Sequence, residues 1–204
     1  MHVEPRCAAA VATLVLSACG HVPLSTMVRM RGFDPGTVDP IVLRAAIRIP
    51  DSLRPQPGGL RLVVRHRLDG DEVKERELEI VLQETTEATE TAPLASEAGP
   101  GMRLHVFRAN PSDVERLRTE QAEMAAARRR GGTRPRGSLS VQADVCRAGK
   151  LPAGPLRLTT YLKTEERGGF IVLVEDVDLR TLVPKGETIE RRTPPCSELD
   201  GPRR

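Results

Sequence analysis

Apolar and polar positions alternate with a period of two along much of the chain, the pattern of strands that bury one face. Residues 45–49 set Ala45, Ile47 and Ile49 against Arg44, Ala46 and Arg48, and Pro50 closes the run. Residues 60–68 place Leu60, Leu62, Val64, His66 and Leu68 on one face and Arg61, Val63, Arg65 and Arg67 on the other. Residues 75–83 answer with Leu78, Ile80 and Leu82 against Glu75, Glu77 and Glu79. Asp69-Gly70 between them invites a two-residue turn, but that register would set even-numbered apolar residues opposite odd-numbered glutamates. A five-residue loop instead pairs Val64 with Leu78 and Leu62 with Ile80, and sets Arg65 against Glu77 and Arg67 against Glu75. A three-residue loop has the same parity and stays open. In either, Arg and Glu rows neutralise each other at about 0.2–1 kcal/mol per pair.

Beyond this hairpin, residues 84–101 are rich in Thr, Glu and Ala with no apolar period, and read as a mobile loop. Met102, Leu104 and Val106 alternate with Arg103 and His105 up to Asn110-Pro111. Ser112, with Glu115 three residues on, has the spacing of a capping box. From there Val114, Leu117, Gln121, Met124 and Ala125 make one narrow helical stripe, with Glu115, Arg116, Arg118, Glu120 and Glu123 facing water. Strand alternation returns at Leu139–Val145 and Leu156–Leu162, and Phe170–Val174 is apolar on both faces. That last run is predicted to be the central strand, with the charged hairpin nearer an edge. The fold class is therefore α+β: an antiparallel, β-rich sheet or sandwich of about seven strands with one amphipathic helix over about 112–130. The domain spans 41–183, after a tether at 19–40 and before a polar tail at 184–204.

The amino terminus decides where that domain lives. Arg6 precedes a ten-residue apolar run, Cys7 to Leu16, interrupted only by Thr13, and then Ser17, Ala18 and Cys19. Ten residues of helix rise about 15 Å, half of a bilayer core, so the segment has the length of an export signal and not of a membrane span. Leu16-Ser17-Ala18-Cys19 resembles the lipobox of bacterial lipoproteins. The resemblance implies cleavage between Ala18 and Cys19 and lipid attachment to the Cys19 thiol, which would hold the protein on the membrane through two or three acyl chains. Gly20 after Cys19 is similar to the sorting signal of outer-membrane lipoproteins, which in a Gram-negative cell implies a domain facing the periplasm.

In that compartment Cys146 and Cys196 are predicted to form a disulfide; the rival reading is a catalytic thiol at Cys146. The formal charge of +3 and an aromatic content of 2% argue against nucleic acid, which needs basic surface and stacking platforms. The one concentrated charge feature is Arg128, Arg129, Arg130, Arg134 and Arg136, a candidate contact for anionic lipid or an acidic envelope partner, or else a solvated loop. No metal spacing, nucleophile elbow or phosphate loop is present in the sequence, so no catalytic, metal or cofactor-binding residue and no cofactor is assigned. His66 and His105, on an inward and an outward face, read as structural. The expectation is a non-enzymatic, membrane-anchored envelope protein that binds or supports a partner. The alternative is an envelope enzyme whose site gathers His66, His105 and acidic residues from distant stretches.

Overall fold

The computed structural model describes residues 24–28, 36–68, 74–130, 136–165 and 168–199. Its strands are β1 (Leu24–Val28), β2 (Arg44–Pro50), β3 (Leu53–Leu68), β4 (Lys74–Thr85), β5 (Met102–Ala109), β6 (Arg136–Arg147), β7 (Arg157–Lys163) and β8 (Phe170–Asp178). They form one antiparallel sheet in the order β1-β6-β3-β4-β5-β2-β7-β8. The sheet curls until Cα atoms of β1, at one end of the order, come within 8 Å of those of β8 at the other. The helices are α1 (Ala88–Thr91), which continues as a 3-10 turn over Ala92–Glu97, then α2 (Pro111–Arg129), and the single turns α3 (Ile189–Arg192) and α4 (Cys196–Leu199). The chain is thus α+β and β-rich.

The hairpin adopts the register expected from parity. Val64 pairs with Leu78, Leu62 with Ile80, Arg65 with Glu77 and Arg67 with Glu75, and the last pair, Leu68 with Lys74, leaves a five-residue connection. The Arg65 guanidinium donates to Glu77 at 2.5 Å. Leu60, Leu62 and Val64 of β3, Leu78, Ile80 and Leu82 of β4, and Leu139, Val141 and Ala143 of β6 share the concave face and form the main core with Ile47, Ile49, Leu158 and Leu162. At about 25 cal/mol per Å² of apolar surface, each of these Leu, Ile and Val side chains contributes about 1.5–3 kcal/mol by leaving water.

Other expectations are corrected. The run Phe170–Val174 is not central: β8 ends the sheet, and β3 and β4 stand third and fourth in the order. The strands buried on both faces are β2 and β7. The cause is the segment expected to be a mobile loop. Residues 88–97 lie across the convex face, where Leu94, 5% exposed, joins Ala46, Val106 and Tyr161 in a second small cluster. The expected tether also contributes structure, since Leu24–Val28 pairs with Leu139–Ala143 and Val38 belongs to the core. The polar tail is held by more than a cysteine, because Ile189 and Thr193 are 2% and 1% exposed.

Helix α2 starts earlier than the capping box suggests. Asn110 is the N-cap, its Oδ1 accepting from the Asp113 N–H at 2.8 Å, while the Ser112 hydroxyl donates to the same oxygen. Pro111 explains the shift: its fixed φ and missing N–H suit the first helical position, which moves the cap back to Asn110. Leu117 and Met124 are buried as expected. Glu120 is not a water-facing residue, for it turns toward the sheet and His66.

Candidate functional site

The strands give the domain two unlike ends. At one, α2 lies near the start of β6 and the hairpin end of β3 and β4. At the other, β6 finishes at Arg147, whose N–H donates to Pro194 O at 2.8 Å and whose Nε donates to Thr193 O at 2.7 Å. Cys146 and Cys196 form a disulfide there, with Cα atoms 5.0 Å apart and a sequence separation of 50. In this pairing Cys146 carries no free thiol. Cys19 and Ala18 lie outside the described residues.

The arginine cluster is placed only in part. Arg128 is half-buried at the end of α2, and Arg129 and Arg130 are exposed beside it. Arg134 lies outside the described residues, and Arg136 opens β6 with its side chain not described. The three that are placed stand at the α2 end, away from the disulfide.

The two histidines do not meet. His66 is 2% exposed, neither ring nitrogen has a hydrogen-bond partner among the described residues, and Nε2 stands 3.7 Å from Glu120 Oε2. Arg76, its partner across the ladder, is ion-paired with Glu120 at 3.5 Å and, more closely, with Glu123. Burial pushes the His66 imidazole below its ordinary range, and Arg76 adds to this, against the pull of Glu120 and Glu123. His105 Nδ1 lies 2.7 Å from Glu84 Oε1. It shares a face with Phe107 of the main core, by the strand period, and not with Leu104 and Val106 of the convex cluster. The expected outward face is therefore wrong. Glu84 and Arg76, which mark the two histidines on β4, are eight residues apart, about 26 Å of strand. Among the described residues no group of three His, Cys, Asp or Glu side chains is arranged to hold a metal.

A cluster that the sequence reading missed lies on the convex face of β2, β7 and β8. Arg48 Nη2 donates to Asp176 Oδ1 at 2.8 Å and to Thr159 Oγ1 at 3.1 Å, and Nη1 is 3.6 Å from Glu97. The Tyr161 hydroxyl donates to Glu97 Oε2 at 2.8 Å. Burial and then this hydrogen bond hold the phenol up at about 12, so it stays a proton donor. Asp176 has φ 49° at a bulge where the β7–β8 register shifts, a conformation Asp tolerates better than most residues and one that turns its carboxylate toward Arg48. A parallel network joins Arg44 Nη2 to Glu90 Oε1 at 2.5 Å and Arg108 to Glu87 at 2.8 Å. Burial pushes the Glu90 carboxyl up, but hydrogen bonds from Arg44 and Thr85 and the nearby Arg charges outweigh it and hold it low. These groups pin residues 87–97 to the sheet. The available signal was two arginines on a strand otherwise made of Ala, Ile and Pro.

A shallow depression of about 530 Å³ at the disulfide end is lined by Lys150, Leu151, Pro152, Ala153, Arg180 and Glu190. The Arg180 guanidinium is engaged there by Gly154 O at 3.1 Å, Pro152 O at 2.6 Å and Glu190 Oε1 at 2.9 Å, so its work is to fold the loop. No protein-family model matches the chain, and no curated protein or solved structure matches it either.

Proposed function

We propose that this chain is an exported lipoprotein, cleaved between Ala18 and Cys19 and anchored through lipid on Cys19, whose domain acts at the cell envelope as a non-enzymatic binding or structural module. In a Gram-negative cell Gly20 directs it to the outer membrane, with the domain in the periplasm. The observation that carries the reading is the buried Cys146–Cys196 disulfide: such bonds persist in oxidising compartments, where the lipobox-like segment would deliver the chain. The choice of a binding or structural role over catalysis rests on the ionisable clusters. They join one element to another in ion pairs, and the two histidines of the enzyme alternative stand at separate places on the sheet. Partners are the membrane itself and an envelope protein or anionic lipid, for which exposed Arg129 and Arg130 are the candidate contacts.

The test is incorporation of labelled palmitate into the full-length protein and into Cys19→Ser, with fractionation of membranes. Label in the wild type, none in the variant, and release of the variant into the soluble fraction are expected. An unlabelled wild type, or a variant held as firmly as the wild type, would overturn the proposal.

A further inference from the structure

We infer that the convex face of β8, formed by Phe170 and Val172 with Lys163 of β7 opposite Phe170, is the surface with which the anchored domain rests on the bilayer interface. The inference depends on the lipid anchor proposed at Cys19.

Three observations converge on this face. Val172 is 50% exposed in the middle of a strand, more than any other large apolar residue on a described strand face, and it belongs to an unbroken run, Phe-Ile-Val-Leu-Val. Ile171 and Leu173 turn inward and pack on the core, leaving Phe170 half-buried and Val172 facing water. The register sets Lys163 opposite Phe170. An aliphatic side chain, an aromatic edge and a cation on one face match the boundary between acyl chains and phosphate headgroups.

The length of chain outside the structure says what covers this face. Cys19 lies five residues before Leu24, so its Cα stays within about 17 Å of the start of β1 even when fully extended. β1 runs alongside β8 at the seam of the curled sheet. The start of β6, by contrast, is seven residues beyond the level of Leu24, about 23 Å along the strand, farther than that tether reaches. A lipid anchor at Cys19 therefore brings the bilayer to the β1–β8 side. The apolar area is too small to hold a membrane alone, but the anchor makes the contact intramolecular, at high effective concentration.

The chain contains no Trp, so one introduced Trp reports alone. Val172→Trp and Val81→Trp replace the half-exposed valine of β8 and an exposed valine of β4, 39% exposed and four strands away. Each lipidated, full-length variant is placed in phosphatidylcholine–phosphatidylglycerol vesicles with and without brominated acyl chains, after its acylation is verified by mass. The indole of Val172→Trp is expected to be quenched at least threefold more than that of Val81→Trp, and the Cys19→Ser form of Val172→Trp to show no quenching. Phe170→Trp serves if Val172→Trp loses the far-UV spectrum of the fold. Equal quenching in the two variants, or no quenching of Val172→Trp in verified acylated protein, overturns this inference and leaves the anchor standing. Blue-shifted emission from Val172→Trp that bromolipid does not quench overturns it in favour of a second copy on the strand. Absence of acylation removes the anchor and this surface together.

Discussion

Replacing both Cys146 and Cys196 by Ala removes the cross-link between the end of β6 and the carboxyl-terminal segment. The bond closes a loop of fifty residues, and chain entropy assigns such a loop about 4 kcal/mol of destabilisation of the unfolded state. For a domain of this size that corresponds to a fall in Tm of roughly 8–16 °C. The segment also has contacts of its own. Ile189 is buried, Arg147 bonds to Pro194 O and Thr193 O, and the Thr193 hydroxyl donates to Ile189 O at 2.7 Å. Residues 186–199 should therefore stay docked in the variant, and the loss should appear in global unfolding. Far-UV circular dichroism in urea is the suitable assay, because one Tyr and no Trp leave little fluorescence to follow. A loss under about 1 kcal/mol, or none on adding reductant to the wild type, would refute the claim that this bond constrains the unfolded chain.

Three further outcomes are expected. Leu94→Ala should cost about 2–3 kcal/mol and raise hydrogen exchange across residues 87–97, since it opens the small convex cluster; a mobile loop would show neither effect. Gly59→Ala should destabilise by about 1–3 kcal/mol, because its Cβ would stand 2.8 Å from Asp144 O and 3.0 Å from Gln56 O, both backbone atoms, and a neutral melting temperature would contradict the close approach. His66 is held below its ordinary value of 6.5, so the folded state binds fewer protons than the unfolded chain between these two values. Its contribution is complete above about pH 6.5 and is lost as pH falls toward the folded value; His66→Leu should flatten that part of a Tm–pH curve, and an unchanged slope would reject it.

The first hairpin was legible because two constraints agree there. The parity of the apolar residues and the sign of the charges select the same register, so a turn-like Asp-Gly could not mislead. Burial on the second face was not legible, because it depends on where a distant segment comes to rest. Residues 84–101 contain one large aliphatic side chain in a polar stretch, and a single Leu94 creates no period. Yet it fits over Ala46 and Val106, and ion pairs from Arg44 and Arg108 to Glu90 and Glu87 hold it there. The central position expected for Phe170–Val174 fails for the same reason: apolarity on both faces states what a strand can bury, whereas the chain path states what covers it.

That distinction bears on β8. The next strands in the order, β7 and β2, carry Tyr161 and Arg48 on the convex face, which reach Glu97 of the covering segment through a hydrogen bond and an ion pair. β8 carries Phe170 and Val172 there, which nothing polar can satisfy and which residues 88–97 leave partly bare. β1 runs along one edge of β8, and the second half of the strand carries Glu175, Asp176 and Asp178 with a bulge at Asp176, so the part left open is the uncharged convex face at Phe170 and Val172. Leaving such a strand half-exposed raises the risk of association in a freely diffusing protein. Under the anchoring proposed at Cys19, a few residues before the adjoining strand, the same exposure would become a contact, because the apolar phase would then be within reach.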